Sequence, residues 1–353
     1  MVLIELAEGR YFIIAAGNGD IYMWKKAVSL LCCLTVLAGG ISAAADGMPV
    51  EQADIVTEYY YDELLTEPVF EEVDQNNPGA PAVNAKGAVL MEASTGEILF
   101  SSNPDARLYP ASITKIMTML LIVEAIDNGK ITSKDVVTVS EHAASMGGSQ
   151  IWLEPQETMT VDQLMKAMCI GSANDASVAL AEHLAGSEES FVSMMNARAK
   201  ELGMKNTNFV NACGLDVEGQ YTSALDVAIM SAQLIQHDTI KKYTTIWMDS
   251  LRNGQTQLVN TNKLVRYYKD CNGLKTGTTS QAGFCVSATA KRNEMQLVAV
   301  VMGAANNDDR FGGAKKMLDY GFANWEIGKI TIDESQIQPV KVKLGSMDQV
   351  EVG

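Results

Sequence analysis

The chain is short of positive charge: 27 Lys and Arg stand against 43 Asp and Glu over 353 residues, a formal net charge of −16. A chain so biased has no general attraction for phosphate backbones, which argues against nucleic-acid binding. Histidine is scarce, with only His142, His183 and His237, and the six cysteines include no C-x-x-C pair. A zinc site is therefore not expected. There is no G-x-S-x-G elbow, no H-E-x-x-H, no phosphate-cradling glycine loop and no ligand set for a metal, so neither cofactor nor metal is expected. What is present is 47% hydrophobic residues with 20% charged, enough to bury a real core in two modest domains. That composition excludes a disordered chain, a collagen-like repeat and a small disulfide-stapled scaffold.

The acid excess is concentrated near the start. Residues 51–82 carry nine acids and no Lys or Arg, which leaves the rest only mildly acidic. Before that tract, Met23-Trp24-Lys25-Lys26, the apolar run Ala27 to Ala38 and the small residues Ser42 to Ala45 have the order of an export signal. The run is too short to span a bilayer comfortably. The expected organisation is an upstream extension over 1–22, with translation starting at Met23, a signal peptide over 23–45 and an acidic leader over 46–83. Residues 84–328 then form the catalytic body, and 329–353 begin a further β-rich domain. Export implies an oxidising, extracytoplasmic setting at the cell wall or outer membrane face. Cys32 and Cys33 would leave with the signal. Cys271 and Cys285 flank Thr278 symmetrically and could face one another in a tight hairpin, although two free thiols are the expected state.

The body reads as α/β of the α+β kind. Ala88 to Met91 and Glu97 to Phe100, joined by Ala93-Ser94-Thr95-Gly96, form a β-hairpin. Apolar residues at three- and four-residue intervals place helices over Ile113 to Ala125, Val161 to Ile170, Ala176 to Leu184 and Phe191 to Leu202. Gly283 to Ala290 and Gln296 to Val301 are strand-like, and a helix follows around Ala314 to Trp325. Strands at both ends of a helical middle suggest one antiparallel sheet assembled from distant segments, flanked by helices with a helical subdomain.

Three motifs carry the chemistry. Ser112-Ile113-Thr114-Lys115 sets a hydroxyl and an amine on one face of a helix start, where the lysine, its pKa lowered, can take the serine's proton. Ser172-Ala173-Asn174 lies between two helices, so its hydroxyl and amide can point into one cleft. Lys275-Thr276-Gly277-Thr278 precedes a strand; the lysine supplies fixed charge, the threonine a bond to a carboxylate and the glycine room for close approach. Ser101-Ser102-Asn103 also matches S-x-N and reads as a plain turn. S-x-x-K, S-x-N and K-T-G in that order, each at an element boundary, are far more specific than any one alone.

With these motifs the chain resembles the serine D-alanyl-D-alanine carboxypeptidases among the low-molecular-mass penicillin-binding proteins, of β-lactamase/transpeptidase-like fold. The likeness runs from Ala85 to Trp325 and includes Gly147-Gly148-Ser149, Gly214-Leu215 and Asn260-Thr261-Asn262. The resemblance implies that Ser112 attacks the penultimate D-alanine carbonyl of a peptidoglycan stem peptide. Lys115 takes its proton, terminal D-alanine leaves, and water clears the acyl-enzyme. It implies an oxyanion hole from the Ser112 and Thr278 N–H groups, proton relay by Ser172, and orientation of Lys115 and substrate by Asn174. Lys275, Thr276, Gly277 and Arg310 would bind near the substrate carboxylate; otherwise Arg310 is a loop residue paired with Asp308 or Asp309. β-Lactams would acylate the same serine.

Two departures stand out. Ala173 replaces the family's usual glycine and would narrow the cleft by a methyl, and Cys213 stands where many relatives have histidine, as core packing. Val340-Lys341-Val342 looks like the first strand of the family's β-rich domain, and membrane contact would require a C-terminal amphipathic anchor absent from this chain. Two rivals remain. A class A β-lactamase would need an E-x-x-L-N loop, which is not found between Asn174 and Lys275, and a non-catalytic wall-binding homologue would lack a reactive Ser112.

Overall fold

The computed structural model describes residues 79–328, with short strand segments at Leu3–Leu6, Arg10–Ile14, Val340–Lys341 and Gln349–Val350. The export signal and the leader up to residue 78 lie outside the described residues, as does most of the expected C-terminal domain. Val340–Lys341, inside the strand expected there, pairs antiparallel with Gln349–Val350.

The frame of the body is a five-stranded antiparallel sheet. Its strands are β1 (Gly87–Glu92) and β2 (Ile98–Ser102) from the start and β7 (Cys271–Thr279), β8 (Gly283–Arg292) and β9 (Met295–Ala304) from the end, in the order β2-β1-β9-β8-β7. Val89 pairs with Val300 and Leu90 with Ala299, so the first strand closes onto a segment two hundred positions further along. Every residue of β1 is buried, and nearly all of β9. Both faces of the central strands are therefore covered, which explains their continuous apolar runs where a half-exposed strand would alternate.

Between these strand groups lie α1 (Lys115–Asp127), β3 (Val136–Thr138), α2 (Glu141–Ala144), β4 (Thr158–Thr160), α3 (Val161–Gly171), α4 (Asn174–Ala185) and α5 (Glu188–Glu201). After them come α6 (Ala224–Ile235), α7 (Asp238–Thr244), the hairpin β5 (Met248–Leu251) with β6 (Thr256–Val259), and α8 (Leu264–Tyr267). Helix α9 (Asn307–Asn324) covers one sheet face, its Gly321 against Leu297 and Leu90. On the other face Ser231 of α6 bonds Ser287 of β8 at 2.8 Å. Helix α1 is apolar all round and buried along almost its whole length, the pattern of a helix at the centre of a domain. The expected sheet of distant segments with a helical middle is thus what forms. Helix α9 begins at Asn307, seven residues earlier than its apolar spacing suggests, because Asn306 caps it by accepting the Asp309 N–H. Among the described residues no helix is long and apolar enough to cross a membrane.

The β7–β8 register decides the cysteine question. Gly283 pairs with Thr279, so the turn centres on residue 281 and not on 278; Cys285 faces Gly277, and Cys271 faces Ala290. Both are free thiols, as are Cys169 and Cys213. Ser101 and Ser102 also differ from expectation. They complete β2, and the turn begins at Asn103, where φ is +46°.

Candidate active site

The Ser112 turn is built by strain and close approach. Ala111–Thr114 is a single 3-10 turn leading into α1, and Ala111 holds φ at +47°, a left-handed value rare outside glycine. Two glycines make room for it. A Cβ on Gly214 would stand 1.9 Å from the Ala111 carbonyl oxygen, and one on Gly277 would stand 3.0 Å from the Ser112 nitrogen. The space freed at Gly277 thus lets β7 approach the Ser112 turn, where the expectation from sequence is close approach by substrate. Strand β7 is the sheet edge, so part of its backbone faces away from β8. Ser112 itself is partly exposed.

Lys115 is fully buried, one turn beyond Ser112. Its Nζ donates to Asn174 Oδ1 at 2.6 Å and to the Cys213 carbonyl at 2.6 Å, and lies 3.1 Å from Ser112 Oγ. Burial lowers its pKa from 10.5 to about 8, against smaller opposing effects from Cys213 and Asp175. A neutral amine has two N–H bonds and one lone pair. With both N–H bonds claimed by Asn174 and Cys213, the lone pair is left for the serine hydroxyl.

Ser172 and Asn174 owe their positions to a break between helices. Helix α3 opens on a Thr160–Gln163 capping box and ends at Ser172 in the left-handed region, φ +63°; α4 then starts at Asn174. The Asn174 side chain donates to the Gly147 carbonyl at 2.6 Å, which fixes which end of the amide faces Lys115. Ala173 does not narrow the cleft as expected, since its methyl is fully buried in the core.

From β7, Lys275 Nζ reaches Ser172 Oγ at 2.8 Å and the Thr276 carbonyl at 3.0 Å, with 1% of the residue exposed. Burial first, then the charges of Lys115 and Arg310, push it well below the ordinary lysine value. Thr276 Oγ1 bonds Thr261 Oγ1 at 2.7 Å. Arg310 lies on the first turn of α9 and is buried, so it is no loop arginine paired with a neighbouring acid. It donates to the Gly277 and Cys285 carbonyls at 3.2 Å each and to Thr278 Oγ1 at 3.1 Å, and also contacts Asn307. Burial lowers it to about 10, which leaves it a cation at neutral pH.

All the predicted residues therefore fall in two linked groups, Ser112–Lys115–Asn174 and Ser172–Lys275–Thr276, with Arg310 behind Gly277 and Thr278. Three participants had no assigned role: the Cys213 carbonyl, Thr261 and the Gly147 carbonyl. Cys213 was expected to serve only as packing. Its side chain does pack, but its backbone oxygen holds the Lys115 amine. A Gly-Leu pair following a core cysteine is the only sequence signal there, and it marks the sharp turn at Gly214 (φ +89°) and not the carbonyl.

A helix-covered antiparallel sheet with Ser-x-x-Lys lodged beneath its edge strand is the build of the penicillin-recognising serine enzymes. The sequence profile for D-alanyl-D-alanine carboxypeptidases matches residues 74–306, and the chain belongs to that family. It is 48% identical over 286 residues to the D-alanyl-D-alanine carboxypeptidase DacF of Bacillus subtilis, a match spanning 80% of this chain and 74% of that protein. Against DacC of Escherichia coli the figures are 36% over 281 residues, 78% and 70%. Penicillin binding protein 5 from Haemophilus influenzae superposes with a TM-score of 0.71 at 36% identity, covering 77% of this chain and 80% of that one. Penicillin-binding protein D2 from Listeria monocytogenes, solved in an ampicillin-bound form, has a TM-score of 0.62 at 32% identity, covering 69% of this chain and all of that one.

Proposed function

We propose that the chain removes the terminal D-alanine of peptidoglycan stem pentapeptides through a Ser112 acyl-enzyme. The observation that carries this is the Lys115 amine, buried, lowered toward neutrality and 3.1 Å from Ser112 Oγ. As Ser112 Oγ bonds to the penultimate D-alanine carbonyl carbon, its proton passes to Lys115. The oxygen that gains charge is met by the Ser112 and Thr278 N–H groups, where fixed donors stabilise the transition state most. Collapse of the tetrahedral adduct breaks the C–N bond, and Ser172, bonded to Lys275, hands a proton to the departing amine of D-alanine and recovers one from protonated Lys115, which is thereby a neutral amine again. Water then adds to the ester, Lys115 again taking the proton, and free Ser112 is restored. Lys275, Thr276 and Arg310 supply positive charge and hydrogen bonds where the substrate carboxylate docks.

A β-lactam carbonyl meets the same serine, giving a stable acyl-enzyme. Slow deacylation is expected because none of the bonds around Ser112 and Lys115 involves a carboxylate that would activate water. Export belongs to the same proposal: residues 23–45 as a cleaved signal, 46–83 as a solvated leader and 84–328 as the catalytic domain working on the wall.

The test is D-alanine release from a stem-pentapeptide analogue, together with labelling by a fluorescent penicillin. Wild-type protein should release D-alanine and take the label, and Ser112→Ala should do neither. Labelling that survives in Ser112→Ala would remove Ser112 as the nucleophile.

A further inference from the structure

Trp152 is 76% exposed, yet its backbone sits at φ +58°, a conformation costly for a bulky residue. It is held there from both sides. The fully buried carboxylate of Asp175 accepts the N–H groups of Ile151 and Leu153, each at 3.1 Å at its nearest oxygen. Arg252 donates to the Ile151 carbonyl at 2.7 Å and the Trp152 carbonyl at 3.3 Å, while Glu157 grips its guanidinium at 2.8 and 2.9 Å. A strained backbone clamped by four bonds so as to present an indole to solvent is not explained by packing.

The indole stands on a groove of about 880 Å³ whose other walls include Gln150, Gln255, Thr256 and Gln257. The groove runs up to Gly171, the residue before Ser172. At the other end of this segment the Ser149 carbonyl accepts the Asn174 N–H at 2.7 Å, so Trp152 is at most about 11 Å of chain from the catalytic cluster. The lining is chemically specific. Arg252 and Glu157 neutralise one another, which leaves three glutamine amides, the Thr256 hydroxyl and one further carboxylate, Glu154, with the apolar Leu258 and Val259 beside a flat aromatic face. That combination suits a sugar: the C–H face of a pyranose lies on the ring, and its hydroxyl and acetamido groups bond the amides.

We propose that this groove is a saccharide subsite, which binds the amino-sugar carrying the stem peptide whose end is cut at Ser112. The inference rests on the function proposed above. An extended four-residue stem separates that sugar from the scissile carbonyl by roughly 14 Å, comparable with the reach of the Ser149–Trp152 segment. Trp152 and the glutamines thereby select polymer-borne stems over free peptides.

Two measurements test it. First, kcat/KM is compared for a disaccharide-linked pentapeptide and for the same pentapeptide with an acetyl cap. The wild type should favour the disaccharide form about fivefold, mainly in KM. Trp152→Gly should abolish the preference while leaving the acetyl-peptide rate unchanged, and Trp152→Tyr should retain most of it. Equal rates on both substrates in the wild type, or equal loss on both in Trp152→Gly, would overturn the subsite. Second, the stemless disaccharide is titrated into Ser112→Ala protein and followed by tryptophan fluorescence. A saturable change that disappears on adding Trp152→Gly supports the subsite even if no substrate turns over, and its absence defeats the subsite whatever the turnover.

Discussion

Lys115 is the residue on which the proposed chemistry turns, because no carboxylate bonds to it, Asp175 offsets its burial only in part, and its three partners are an amide oxygen, a carbonyl and a hydroxyl. An amine titrating near 8 is roughly one-tenth neutral at pH 7 and nine-tenths neutral at pH 9. Acylation by a chromogenic β-lactam should therefore rise about tenfold across that interval and then level off; a flat stopped-flow profile would exclude Lys115 as the base. The same shift acts on stability. The folded value lies below the ordinary 10.5, so the unfolded chain binds more protons between about pH 8 and 10.5, and unfolding free energy should increase with pH through that window. Lys275, lowered for the same reason, acts in the same direction.

At the scale of elements, the proposed nucleophile depends on three segments that meet at Ala111. Gly214→Ala would drive a methyl into the Ala111 carbonyl, a backbone atom that cannot swing aside. It should cost about 3 kcal/mol or more in denaturant unfolding and abolish penicillin labelling. This dependence could not be read from residue types. The hairpin β1–β2 was legible from its turn residues, α3 to α5 from apolar spacing, and the three motifs from their order. The hairpin β5–β6 was not, since strands of four residues with alternating exposure leave too short a pattern. Helices α6 and α7 also went unassigned, though α6 is buried along most of its length. Backbone groups left no trace at all. The Cys213 carbonyl works through its oxygen, which every residue possesses, so no side-chain pattern could announce it. The cysteine bridge failed on arithmetic of register: symmetry about Thr278 mattered only if the turn lay there, and it lies three residues later.

For the molecule as a whole, the thiols provide a direct reading of this register. Denaturation without reductant followed by alkylation should tag Cys169, Cys213, Cys271 and Cys285 completely. Before denaturation, labelling should be slow at Cys169, Cys213 and Cys285, which are buried. A peptide joining Cys271 to Cys285 would contradict the strand pairing. The architecture supports this level of protection, because the sheet is closed on both faces and its two halves come from opposite ends of the described body.

That closure sets a timetable for synthesis. A ribosome finishes β1 at Glu92, but the strand that must lie beside it starts only at Met295. Until then one edge of β1 has no partner strand, and the β7–β8 hairpin that walls the Ser112 turn has nothing to join it to the first hairpin. Nascent chains stalled before Met295 should remain unreactive and open to protease, so the hydroxyl at position 112, made early, would become the proposed attacking group only after almost all of the body has been translated.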